Sequence, residues 1–180
     1  MKFSIGFLFI LGAVLVSSCM PVSTLTVHNP PDIIVNANNN HVAITAPPGA
    51  RCKARNRVNP GCVHFDTNET GTLTFKRTGQ KTWTFTKLQI CKLNADGTKD
   101  CNRDSWERMQ FAASDTQKNK LVLPDKNGVF DLSQLLSVQS EFLLLNLNTV
   151  DQDYYYQVEL CQSGVNCEWA DPPIENKGRK

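Results

Sequence analysis

From Asp32 onward, apolar and polar positions alternate with a period close to two, the pattern of half-buried strands rather than helices. Ile33 and Val35 lead to Asn38-Asn39-Asn40, after which Val42 and Ile44 alternate before Pro47-Pro48-Gly49; this predicts a hairpin. Leu73 and Phe75 alternate with Thr72, Thr74 and Lys76, Gly79 turns the chain, and Trp83, Phe85, Leu88 and Ile90 form the next strand. Between Phe85 and Leu88 the alternation slips by one residue, which predicts a bulge at Thr86-Lys87. Further strands are expected from Trp106 to Ala112 and from Lys120 to Leu123, followed by a turn at Asp125-Lys126-Asn127-Gly128.

Only Asp131 to Val138 has helical spacing: Asp131 is placed to cap, Gln134 holds the reciprocal position, and Leu132, Leu135 and Leu136 share a face. Its shortness predicts a crossover helix between sheets. Phe142 to Leu147 is an almost continuous apolar run, as expected of a central strand covered on both faces. Tyr154, Tyr156, Val158 and Leu160 alternate with Tyr155, Gln157 and Glu159, and a last strand is expected from Glu168 to Ile174. Roughly eight or nine short strands separated by turn signals argue for an all-β sandwich. The segment Asp151-Gln152-Asp153-Tyr154-Tyr155-Tyr156 resembles the corner at which immunoglobulin-like domains place a Tyr whose hydroxyl bonds to upstream backbone. That resemblance implies an immunoglobulin-like β-sandwich, with Trp83 as the buried indole of an earlier strand.

The N-terminus follows a different pattern. Met1-Lys2 is a short positive start and Phe3 to Val16 an apolar run, too short and too closely followed by polar chain to be a stable spanning helix. It ends in Val16-Ser17-Ser18-Cys19, which resembles the lipobox of bacterial lipoproteins, where an aliphatic residue and small residues precede the cysteine that is acylated. The resemblance implies a signal peptide over 1–18, a lipid on Cys19 and a tether over 19–31. The sandwich domain then spans 32–174 and a polar tail 175–180. In such lipoproteins an Asp after the lipidated cysteine typically holds the protein at the inner membrane; Met20 stands here, which implies the periplasmic face of the outer membrane. The alternative is an ordinary secretory leader and a protein released to the periplasm or exterior.

Cysteine arithmetic supports the anchor. An odd total of seven cysteines leaves one committed elsewhere in an exported chain. With Cys19 acylated, the others fall into three neighbouring pairs, Cys52 with Cys62, Cys91 with Cys101 and Cys161 with Cys167. Each pair brackets turn formers, so three local disulfides are expected among the fifteen possible connectivities. Neither C-x-x-C nor a zinc-type Cys/His cluster occurs, so no metal is expected through cysteine.

Composition adds exclusions more than assignments. Across 180 residues, 19 Lys+Arg oppose 17 Asp+Glu and 41% of positions are hydrophobic, which excludes a disordered chain and any field strong enough to recruit nucleic acid. No nucleophile elbow, zinc-protease motif, P-loop or dinucleotide fingerprint is present, so neither catalysis nor a cofactor is expected. The histidines are His28, His41 and His64; a catalytic pair would need His41 and His64 to meet, and exposed turn histidines are the simpler reading. Asp151 and Asp153, joined by Asp125, offer oxygens to Ca²⁺, against a simpler role in capping turns. Arg51, Lys53, Arg55 and Arg57 alternate through the loop expected to be closed by Cys52 and Cys62. If extended, they form a cationic stripe suited to phosphate or carboxylate on a partner. Trp106 and Trp169 are expected to pack. The expectation for function is therefore a lipid-anchored, non-catalytic binding or assembly module contacting an envelope protein or cell-wall component, touching membrane only through its lipid. The alternative is an inhibitor or immunity protein directed at a cell-wall-degrading enzyme.

Overall fold

The computed structural model describes residues 26–27, 30–38, 41–45, 60–63, 69–106, 110–135, 140–146 and 153–171. These residues form two β-sheets enclosing one core, a sandwich-like all-β fold. The first sheet contains β1 (Thr26–Val27), β2 (Ile33–Asn38), β3 (His41–Ile44), β4 (Glu69–Gly79), β7 (Phe111–Ser114), β8 (Leu121–Val122) and β10 (Glu141–Asn146). The second contains β5 (Trp83–Leu93), β6 (Lys99–Asp100), β9 (Val129–Asp131), β11 (Tyr154–Gln162) and β12 (Asn166–Ala170).

In the first sheet the order is β3-β2-β4-β10-β7-β8. The expected hairpin is present as β2 and β3, antiparallel with Asn38 opposite His41. β4 is bordered on one side by β10, antiparallel, and on the other by β1 and β2, both parallel to it. β10 therefore lies inside the sheet, and Phe142, Leu143 and Leu144 are all buried, as its unbroken apolar run requires. In the second sheet β11 lies between β12 and β5, and β6 and β9 share the far edge of β5.

Alternation along each strand sends one set of side chains between the sheets. Leu73 and Phe75 from β4, Phe142 and Leu144 from β10, Phe85, Leu88 and Ile90 from β5, and Val158 and Leu160 from β11 join one core. Phe142 ties the layers together, its ring 4.6 Å from Phe75 within its own sheet and 5.0 Å from Phe85 of the facing one. Trp83 is fully buried, as expected. At one end Trp106, Phe111 and Tyr154 meet edge to face, with centroids 5.0 to 6.1 Å apart. At the side, the two outer strands are joined by a polar contact: the Val42 N–H of β3 donates to the Glu168 carboxylate of β12 at 3.0 Å.

The turns follow their residues. Gly79 and Gly128 take φ values of +88° and +69°. A Cβ at Gly79 would run into the Ala37 carbonyl, and one at Gly128 into the Ile90 carbonyl, so both turns need glycine. Asp125 accepts from the N–H groups of Asn127 and Val129 at 2.8 and 2.9 Å, which fixes the predicted turn.

Three expectations are corrected. The strand expected from Trp106 begins only at Phe111; Trp106 instead follows a 3₁₀ turn, Arg103–Ser105, and is buried among aromatic rings. Of the crossover helix expected from Asp131 to Val138, the described residues form a single 3₁₀ turn, Leu132–Gln134, capped by the Asp131 carboxylate and followed by extended backbone at Leu135. Its position is as expected, since it follows β9 of the second sheet and precedes β10 of the first. The last strand runs from Asn166 to Ala170 rather than starting at Glu168.

Candidate functional site: the outer face of the second sheet

The predicted slip in β5 is real and decides what faces solvent. β11 pairs with β5 so that Glu159 lies opposite Lys87 while Leu160 lies opposite Phe85, leaving Thr86 as the extra residue of a bulge. Phe85 and Leu88 stay in the core on either side. Two consecutive side chains, Thr86 and Lys87, thus reach the same outer-face residue, Glu159. The Thr86 hydroxyl donates to Glu159 Oε2 at 2.7 Å, and Lys87 Nζ pairs with the same carboxylate at 3.1 Å.

The cross-strand register then places the rest. Trp169 of β12 lies opposite Glu159, and Cys167 lies opposite Cys161. Those two cysteines are bonded across the strands, with Cα atoms 4.0 Å apart. Cys161 Sγ is 3.3 Å from Thr86 Oγ1 and 4.0 Å from Glu159 Oε2. Cys161 is buried whereas Cys167 is exposed. Around Cys167, Val165 is 89% and Trp169 40% exposed.

Farther along the same face, Gln157 donates to Gln89 at 2.6 Å, and Gln89 to the Asn127 carbonyl at 3.2 Å. Tyr155 is buried beneath Lys99, whose ammonium lies 3.3 Å from the ring centroid, an attraction between cation and π-face. The Tyr155 hydroxyl donates to Asp171 at 2.9 Å. Burial, and then the Asp171 carboxylate, push its pKa well above the ordinary tyrosine range. The Cys91–Cys101 disulfide closes this end of the face, bridging β5 to the residue after β6, with Cys91 buried.

The disulfides expected at Cys91–Cys101 and Cys161–Cys167 are thus observed. Cys62 is also disulfide-bonded; its expected partner Cys52 lies outside the described residues. Cys19 and the cationic stripe Arg51, Lys53, Arg55 and Arg57 lie outside them too, as do His28, His64 and Asp151. His41 is exposed at the start of β3. Asp125 is occupied by its turn, and the Asp153 carbonyl accepts from the Leu93 N–H at 2.8 Å. Glu159, Cys161 and Cys167 place possible metal-ligating atoms within 4.8 Å of one another. Metal coordination by Cys requires a thiolate, and both sulfurs are consumed by the disulfide. Trp106 packs as expected, but Trp169 does not: it stands on the solvent side of the outermost strand.

Elsewhere, a recess of about 310 Å³ at the end of the first sheet is lined by Thr70, Thr72, Lys118 and Asn146 among others, with no histidine or carboxylate in its lining. Among the described residues, no helix is long and apolar enough to cross a membrane.

Sequence reasoning missed Glu159, Thr86, Lys87 and Trp169 as a group. The slip between Phe85 and Leu88 was the available signal, because a bulge puts two neighbouring side chains on one face. The chain matches no protein-family model, curated protein or solved structure with which it was compared.

Proposed function

We propose that this chain is a bacterial cell-envelope lipoprotein acting as a non-catalytic binding or assembly module on the periplasmic side of the outer membrane. The observation that carries the binding role is the hairpin of β11 and β12, a disulfide-braced edge that leaves Val165 and Trp169 exposed. Tryptophan is enriched where proteins contact one another, because a large ring desolvates much surface with little loss of conformational freedom. The lipobox-like run ending at Cys19 supports the anchored location, since lipid supplies attachment without a spanning helix.

The fold belongs to the same proposal at a finer level. An immunoglobulin-like sandwich is supported by the buried Trp83 and by the Tyr156 hydroxyl, which donates to the upstream Gly61 carbonyl at 2.8 Å. A third local disulfide, Cys52–Cys62, completes the pattern and would brace the loop bearing Arg51, Lys53, Arg55 and Arg57 as a second contact for an acidic partner.

Two measurements test the reading. Intact mass of the protein from its native membrane fraction is expected to show an acylated Cys19 and six thiols that appear only after reduction; an unmodified Cys19 overturns the anchor. A photo-crosslinking residue at position 169 is expected to trap an envelope protein or cell-wall fragment, while one at exposed Lys118 does not. Equal trapping at both positions overturns the edge as the contact. Slowing of purified lysozyme- or amidase-type enzymes would replace the assembly role with inhibition.

A further inference from the structure

The two disulfides of the second sheet differ in access. Cys91 is 1% exposed and Cys101 half-buried, and their bridge closes over a strand flanked on both sides. Cys161–Cys167 spans to β12, the outermost strand of its sheet, and its second sulfur belongs to an exposed residue. Nucleophilic attack on a disulfide runs along the S–S axis from beyond the attacked sulfur, and its rate depends on which sulfur can be reached. Beyond Cys167, no further strand of the sheet stands in the way among the described residues.

The other sulfur has the opposite surroundings. Cys161 is 4% exposed, with the Thr86 hydroxyl 3.3 Å and the Glu159 carboxylate 4.0 Å from Sγ. A purely structural crossbridge needs neither group. The bulge in β5, a feature over-represented beside reactive sites, brings Thr86 there, and Glu159 shares the face as the residue two before Cys161 on β11. Glu159 is itself held in place by Thr86 and Lys87, so its carboxylate stays beside the sulfur.

We propose that Cys161–Cys167 is a site of reversible thiol capture, with Cys167 the attacked sulfur and Cys161 the resolving one. A cysteine thiolate of a partner protein attacks Cys167 Sγ. A new S–S bond forms to Cys167 as the bond to Cys161 breaks, and the electron pair leaves on Cys161 Sγ, which takes up a proton from water. The incoming thiol has become half of a mixed disulfide and Cys161 a thiol, so one S–S bond is exchanged for another and no separate oxidant is needed. In the return step Glu159 accepts the Cys161 proton, the thiolate attacks Cys167, and the partner leaves as its thiol. Val165 and Trp169 provide the apolar contact that brings such a partner to the exposed sulfur. The chemistry rests on the geometry of this hairpin alone and does not depend on the lipid anchor.

The test uses the oxidised full chain and glutathione as the thiol, with acid quenching at short times and peptide mapping by mass spectrometry. The expected result is a glutathione adduct on Cys167, a free thiol on Cys161, and a Cys91–Cys101 bond that opens at least about tenfold more slowly. First modification at Cys161, opening of Cys91–Cys101 as fast or faster, or no adduct until the protein is unfolded by denaturant would each overturn the proposal. Release of glutathione from the Cys167 adduct isolates the return step: Glu159→Gln is expected to slow release about tenfold. Release at the wild-type rate would remove the carboxylate from the proton transfer.

Discussion

Tyr156 and Tyr155 have hydroxyls held in opposite layers of the protein, yet both resist ionisation. The Tyr156 hydroxyl donates to the Gly61 carbonyl on the core side, and burial pushes its pKa above the tyrosine range. The Tyr155 hydroxyl donates to Asp171 on the outer face and is shifted the same way, chiefly by burial. A raised folded-state value means that the unfolded chain loses its protons first. Both contributions are therefore fully present below the unfolded value of about 10 and are lost as pH rises beyond it. Urea midpoints measured from pH 8 upward should fall steeply above about pH 10, and Tyr156→Phe should flatten that fall. At Gly128 the demand is steric: the positive φ and the nearby Ile90 and Cys101 carbonyls leave no room for a side chain. Gly128→Ala is expected to cost about 2 kcal/mol or more, read as a lowered denaturation midpoint.

At the scale of elements, local chemistry was legible wherever a turn or a break in alternation had one physical cause. The hairpin at Asn38, the turn closed by Asp125, the bulge at Thr86 and the crossover after Asp131 could all be read because the residues that force them are adjacent in the chain. The crossover is the sharpest case. The Asp131 carboxylate accepts from the Ser133 N–H at 3.1 Å and from its hydroxyl at 2.6 Å, and the hydroxyl contact, foremost, holds its pKa below the usual range. Asp131→Ala should destabilise the protein by about 1 kcal/mol. Because the folded value is depressed, this contribution exists above the unfolded value near 3.8 and is lost as pH falls through the folded value. The penalty should therefore shrink when unfolding is repeated near pH 3. Strand ends were less legible: the register of β7 on β10 sets Phe111 opposite Asn146, and pairing between distant segments leaves no mark on the local pattern. The helical spacing after Asp131 misled for a related reason, since Leu132 and Leu135 bury as well from a single 3₁₀ turn as from a helix.

At the scale of the molecule, the two sheets share one core, and Phe142 touches both layers. Phe142→Ala should cost about 3–5 kcal/mol without altering the cross-strand disulfides, which calorimetry with thiol counting would resolve. The candidate site was legible only in its covalent part. Cys161 and Cys167 are six residues apart and announced their bond; Glu159, Thr86 and Trp169 come together through the register of three strands, which the sequence of no single strand records. The expectation that Trp169 packs failed because core and surface differ by one residue of register along β12.

One contact at the side of the sandwich has a bearing on its neighbours. A free sheet border exposes unpaired backbone donors and acceptors, the template on which proteins zip into fibrils. On β3 the outward N–H of Val42 is already taken by the Glu168 carboxylate of the opposite sheet. A chain crowded against identical copies would meet a charged group there instead of an open ladder, so the same carboxylate that ties the two layers also discourages self-association.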